Sequence, residues 1–205
     1  MRDRKTAPER RDEIVTVAVE LADAMGPDRL TTTTIAQAIG LSQAAVFRHF
    51  PTKQSIWEAI IAWIGERLEQ RWSAARQPEG SARDGLRALL IGHLSLIAAV
   101  PAIPAILLSR ELNARNAVLR DGLQSLMRRF HAHLAAIIAD GVRQKHFRAD
   151  LDVQDAAYLA MGLVQGLVIR WSLGGRVLDL AGEGERMVTI LLRGFQPCPP
   201  RVGTP

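Results

Sequence analysis

TTTTIAQAIGLSQAAVFRHFPTK, residues 31–53, is the stretch on which the fold turns. One of Thr31 to Thr34 can cap a helix by accepting a hydrogen bond from an unpaired backbone N–H, and Ile35, Ala38 and Ile39 then recur at helical spacing. This predicts a helix of about two turns. Gly40 stands where the chain leaves that helix through a left-handed conformation, and Ser42 stands where a second N-cap is required. In the second helix Val46 and Phe50 lie four apart and can seal one face against the first, leaving Gln43, Ala44, Phe47 and Arg48 outward. Pro51 ends it, because the residue before a proline is driven out of helical geometry, and Thr52 can cap the next helix.

Two short helices joined by a Gly-containing turn describe the helix-turn-helix that lays its second helix in a DNA major groove. They also describe an ordinary hairpin inside a helical bundle. Charge favours DNA. Between Arg29 and Trp57 the basic residues are Arg29, Arg48 and Lys53, and there is no acid to repel a phosphate. The run Met1 to Arg11 adds Arg2, Arg4, Lys5, Arg10 and Arg11 against Asp3 and Glu9. Such an arm can follow a phosphate backbone or minor groove, or remain a solvated terminus.

From about Glu9 to Ile60 the chain resembles the DNA-binding domain of the TetR/AcrR family of bacterial transcriptional regulators. The residues that carry the resemblance are Thr32 at the second helix, Ile35-Ala36, the turn Gly40-Leu41-Ser42, Phe47, His49-Phe50 and Lys53. The pattern departs at Ala44, where many members have Gly, and at Phe47, where many have Tyr, so a phosphate-bonding hydroxyl is missing. The resemblance implies a DNA contact set of Thr32, Thr33, Ser42, Gln43, Ala44, Phe47, Arg48, His49 and Lys53. Within it Thr32, as the cap of its helix, and Lys53 would hold phosphates. His49 would brace the second helix or reach a phosphate, and Ser42, Gln43, Ala44 and Arg48 would face base edges. Geometry favours Arg48 on guanine and Gln43 on adenine, and Phe47 can still touch a sugar or a thymine methyl.

Composition fits this reading without forcing it. The chain has 205 residues, 48% hydrophobic content and a formal charge of +5, enough for a buried core and compatible with nucleic acid. Its one cysteine, Cys198, can form neither an internal disulfide nor a cysteine cluster, which points to a reducing compartment. No secretory signal pattern opens the chain, and the longest apolar run, Ala156 to Ile169, falls short of the roughly 20 residues of a membrane span. A cytoplasmic protein with no membrane partner is expected.

The rest reads as helices. Ile14, Val17, Ala18, Leu21 and Met25 predict a first helix over 9–25, ended by Gly26-Pro27, that roofs the motif. Trp57, Ile61, Ile64, Leu68 and Trp72 predict a long fourth helix to about Arg76, with a loop after it at 77–81. Leu86 to Val100 is helical. Pro101 and Pro104 stop or kink that helix, and Pro104 can open a short helix through Glu111. Leu119 to Ile138 predicts another helix, ending near Gln144. Asp150 to Asp152 starts one that is apolar nearly all round, in which Gly162 and Gly166 would let another backbone approach. Val188, Leu191, Leu192 and Phe195 mark the last. The expected fold is all-α, with about nine helices. A three-helix helix-turn-helix domain occupies 9–55, with its motif at 32–51. A helical effector-binding and dimerisation domain occupies 56–195, and 196–205 is a disordered tail. The last two helices from two copies suggest a four-helix homodimer interface, so the DNA site would be a palindromic operator on double-stranded DNA.

In the resembling family the second domain holds a small-molecule pocket whose occupation releases the operator, which implies a ligand-responsive repressor. Lining candidates for a mostly apolar effector are Trp63, His93, Ile97, Phe130, His131, Tyr158, Met161 and Gln165, with plain core packing the alternative at each. Arg110-Glu111 could pair, bind a ligand or face water. A docked protein partner is the alternative to a small molecule. His131 and His133, two apart on a helix, point about 200° from each other and do not share a metal easily, and His146 is isolated. No nucleophile elbow, phosphate-binding Gly loop or paired carboxylates stand out, so no enzyme, cofactor or metal is expected.

Overall fold

The computed structural model describes residues 5–76, 80–110, 114 and 116–197. Expectations for Arg2, Arg4, the 77–79 loop, Glu111 and the tail from Cys198 lie outside them. Among the described residues there are nine α-helices and no strand: α1 Ala7–Met25, α2 Thr32–Ala38, α3 Gln43–His49, α4 Lys53–Ala75, α5 Ala82–Ala99, α6 Ala102–Leu108, α7 Ala117–Arg143, α8 Val153–Leu173 and α9 Leu180–Phe195. They divide into two compact units, 1–67 with 100–126 and 68–99 with 127–205. The unit that holds the motif also takes in α4 as far as Arg67, α6 and the start of α7.

In the first unit α1 begins at a capping box: Thr6 accepts the Glu9 N–H while the Glu9 carboxylate takes the Thr6 N–H at 2.7 Å. Glu9 is consequently held below the usual carboxylate range by that backbone hydrogen bond. The buried side of α1 is Ile14, Val15, Ala18, Val19 and Ala22. Of the expected stripe Ile14 and Ala18 are buried while Val17, Leu21 and Met25 are part-buried; Val15, Val19 and Ala22 complete the buried side, because α1 packs against α6 as well as α2 and α3. Pro104 sits inside the first turn of α6 rather than opening it; the helix starts at Ala102 and stops at Leu108. Ile61 of α4 is only part-buried, but it fits against Gly122 of α7, where an added Cβ would lie 2.7 Å from Ile61 Cγ2.

The second unit packs α5 against α9 most extensively. Gly184 permits it, since a Cβ there would stand 2.4 Å from Leu94 Cδ1. Asp152 caps α8 by accepting the Gln154 and Asp155 N–H groups, both at 2.9 Å, and Asp179 caps α9. Length corrects one expectation: α8 has 21 residues of mean hydropathy 1.3, enough to cross a membrane by those measures alone, yet its Ala157, Ala160 and Val164 are buried within this unit. Gly162 and Gly166 have nothing within 4 Å of an added Cβ. Among the described residues no other helix's backbone approaches them.

His93 lies at the centre of this unit's aromatic core. It is 6% exposed, with its ring 4.4 Å from that of Phe130, and its Nδ1 accepts the Trp72 Nε1–H at 3.1 Å. Burial pushes its pKa down from 6.5 to about 4. Protonation would also turn the acceptor Nδ1 into a donor facing the indole N–H. Between pH 6.5 and 4 the unfolded chain therefore takes up a proton that the native chain refuses. The native state is unburdened above pH 6.5 and loses on the order of 3 kcal/mol as pH falls through that window. Urea denaturation at a series of pH values should show this loss, and His93→Gln, which can still accept from Trp72, should remove it. A variant with the same pH slope as the parent would refute the assignment.

Candidate nucleic-acid interface

Three hydroxyl caps place the side chains of the interface. Thr31 caps α2: its Oγ1 accepts the Thr34 N–H at 3.0 Å, and the Thr34 hydroxyl accepts the Thr31 N–H at 3.0 Å. The resemblance put this role on Thr32, which is instead the first helical residue. Freed from capping, Thr32 Oγ1 accepts from Gln43 Nε2 at 2.8 Å, tying the start of α2 to the start of α3. That bond takes one of the two Nε2 hydrogens of Gln43 and leaves the other, with the Oε1 acceptor, for a base edge. The cap of α3 is Ser42, which accepts the Ala45 N–H at 3.2 Å and keeps its own proton to donate. Thr52 accepts the Ser55 N–H at 3.0 Å, which leaves Lys53 exposed in the first turn of α4.

Gly40 makes the turn. At φ 67° it occupies the left-handed region, and the Leu41 N–H returns to the Ala36 carbonyl at 2.9 Å to close α2. Within α2 the buried pair is Ile35 and Ala36. Ala38, expected inward, faces solvent, because the helix is too short to bury a second turn.

On α3, Val46 and the following Phe50 are fully buried, while Gln43, Ala44, Phe47 and Arg48 are exposed, with Phe47 39% accessible. His49 is part-buried and Thr33 is exposed. The bracing expected from the His49 side chain runs through its backbone. Its carbonyl accepts from Arg11 of α1, whose guanidinium also lies 4.2 Å from the centre of the Phe50 ring. A cation at the carbonyl end of a helix opposes the helix dipole and stacks favourably on an aromatic face. Arg11 is therefore a fastening for α3, not part of a free basic arm. Lys5 and Arg10 are likewise engaged, both by Glu13, whose carboxyl is held below its ordinary range first by the Lys5 hydrogen bond. Nothing in local spacing signals Arg11, which meets a carbonyl 38 positions away.

The eight expected ligand-lining residues are divided between the two units. Trp63 belongs to the first unit and lies under Arg67, 3.5 Å from its ring centre. His93, Ile97 and Phe130 are buried core of the second unit. His131 rests against Tyr158 with ring centres 4.1 Å apart, Met161 is part-buried, and exposed Gln165 reaches Met127 Sδ at 3.4 Å. His131 Nε2 is buried without a hydrogen-bonding partner. Three described clefts of this unit are lined by other residues.

Comparison with known proteins agrees with the fold and the motif. Residues 14–60 match the model for bacterial regulatory proteins of the tetR family, and residues 104–180 match the tetracyclin repressor-like C-terminal domain. The nucleoid occlusion factor SlmA of Vibrio vulnificus is 29% identical over 163 residues, covering 79% of this chain and 83% of that protein. A TetR transcription regulator from Haloarcula marismortui superposes with a TM-score of 0.81 at 18% identity, covering 92% of this chain and 98% of that one. The regulator FadR from Bacillus subtilis, solved in complex with stearoyl-CoA, gives 0.73 at 21% identity, covering 90% and 99%. The two family matches, at 14–60 and 104–180, on a chain with this helix-turn-helix and this all-helical fold, make it a member of the TetR family of transcriptional regulators.

Proposed function

We propose that the chain is a ligand-responsive repressor that acts as a cytoplasmic homodimer and reads a palindromic operator on double-stranded DNA. Its DNA-binding part is 9–55, and its effector and dimerisation part is 56–195. The observation that carries the proposal is the outward face of α3, where Arg48, Phe47 and Gln43 stand exposed on a helix held from behind by Val46, Phe50 and Arg11. Arg48 reads guanine, Gln43 offers the base edge its remaining amide group, and Phe47 meets a thymine methyl or sugar. Thr32, Thr33 and Lys53, at the starts of α2 and α4, meet phosphates where helix N-termini favour anions.

A second copy of the chain is the occupant that fits the exposed stripe of α8. Tyr158, Gly162, Gln165, Gly166, Ile169 and Leu173 recur at helical spacing on the solvent side, and the open glycines permit close approach of a partner helix. Beside this stripe Leu159, Leu163, Met187 and Ile190 line a groove between α8 and α9. The effector reading is supported by His131 Nε2, a buried acceptor or donor left unpaired beside Tyr158, since such a group costs about 1–3 kcal/mol unless something meets it. Docking of a protein partner on this unit is the alternative to a small-molecule effector.

Selection of bound sequences from random DNA should enrich an inverted repeat, and failure to do so would sink the proposal. Arg48→Ala should weaken binding to that repeat by about 1–3 kcal/mol and relax preference at one base position, whereas equal loss on random DNA would contradict base reading. Lys53→Ala should weaken binding to all sequences alike and lower the salt slope by about one unit, as titrations at several salt concentrations would show. In sedimentation equilibrium Ile190→Asp with Leu159→Asp should raise the dimer Kd by about 100-fold or more while leaving the chain folded. An unchanged dimer would place the interface elsewhere.

A further inference from the structure

We propose that the cleft bounded by the start of α5, the turn after α7 and the end of α9 is a binding site for a small phosphate-bearing molecule of about nucleotide size. It is separate from the mostly apolar effector expected for this unit and independent of the DNA reading. The cleft has a volume of about 750 Å³ and is lined by Ser81, Arg83, Arg87, Lys145 and His146, with Asp84 the one acid. Among the described residues neither Arg83 nor Lys145 is in an ion pair, so two cations face the cleft against the single carboxylate of Asp84. Arg87 is anchored: its Nε and Nη2 both bond Glu185 of α9, at 2.8 and 2.6 Å, which holds the guanidinium at the wall.

The walls are joined to one another, so the backbone that carries the donors is held in place before a ligand arrives. Gln144 at the end of α7 accepts the Ala82 N–H at 3.4 Å, linking α7 to the start of α5. The Arg148 N–H bonds the Phe195 carbonyl at 2.9 Å, and Phe147 packs edge-on against Phe195, linking the turn to the end of α9. Lys145 is set by its backbone, at φ 59°, with its N–H on the Val142 carbonyl at 3.1 Å. Arginine and lysine donors around a concave space, with a hydroxyl among them, match the several acceptor oxygens of a phosphate group. An uncharged apolar molecule would leave those donors unpaired and find few carbon contacts.

Isothermal titration calorimetry of the full chain with ATP, inorganic pyrophosphate and adenosine tests the assignment. ATP and pyrophosphate should bind one per chain, and adenosine should not. Arg83→Gln with Lys145→Asn should weaken binding by about tenfold or more, since charge-assisted bonds are lost while asparagine keeps the left-handed turn. Arg83→Ala with Lys145→Gly should do the same, and both variants should melt as the parent does. Arg48→Ala with Lys53→Ala should bind ATP unchanged. The proposal is overturned if no phosphate compound binds, if adenosine binds as well as ATP, or if the Arg48 and Lys53 variant alone loses binding. It is also overturned if the cleft variants weaken duplex DNA as much as ATP, which would assign the cleft to nucleic acid.

Discussion

Everything the DNA face can do depends on a burial that α2 and α3 cannot supply alone. Each is seven residues long, well below the roughly 12–15 at which an isolated helix becomes even marginally stable in water. Their order comes from Val46 and Phe50, fully buried in the first unit, and from Arg11, which meets the last carbonyl of α3 while stacking on the Phe50 ring. A recognition helix fastened at its back can keep Arg48 and Phe47 in the open without collapsing onto them. Caps then finish what packing begins, because Thr31 and Ser42 each satisfy an N–H that a short helix would otherwise leave bare. With the backbone so constrained, exposed side chains are left free for a ligand.

The motif was legible because its signals are local. Gly40, Ser42, Pro51 and Thr52 act on their immediate neighbours, and each performs the turn or cap its chemistry suggests. The same locality set the limit. Thr31 and Thr32 are chemically identical candidates for one cap, and only the backbone at Thr31, extended at φ −129° and ψ 158°, decides between them. Their exchange changes the reading of Gln43, since it is the released Thr32 hydroxyl that holds that amide. Arg11 and the burial of Val15, Val19 and Ala22 on α1 were not legible, because both arise from contacts with segments far along the chain: α3 for the first, α6 for the second.

Aromatic and histidine residues in the helical remainder were harder still to sort. Periodicity marks His93, Phe130, His131 and Tyr158 as a helix-face set, but it does not say which side of each helix meets core. The structure separates them by environment. His93 is locked between Trp72 and Phe130, whereas Tyr158 stands 59% exposed over His131. One is a neutral imidazole serving as a structural acceptor, and the other pair lies at the boundary of a face with no covering element among the described residues.

That face also explains why α8 looked apolar on nearly every side. A helix buried all round by its own chain would show no accessible leucines, yet Leu159 and Leu173 are 59% and 84% exposed while Ala157 and Ala160 are fully buried. The helix therefore carries two apolar surfaces: Ala156, Ala157, Ala160, Val164, Leu167, Val168 and Trp171 toward its own unit, and Tyr158, Leu159, Ile169 and Leu173 with two open glycines away from it. Water is a poor neighbour for the second surface, and a stripe of this length on a helix of 21 residues is a large area to leave wet. Pairing two copies across it would cover both stripes at once and relate the two α3 helices by a two-fold axis, the arrangement through which a helix-turn-helix dimer selects one site among many by two half-sites.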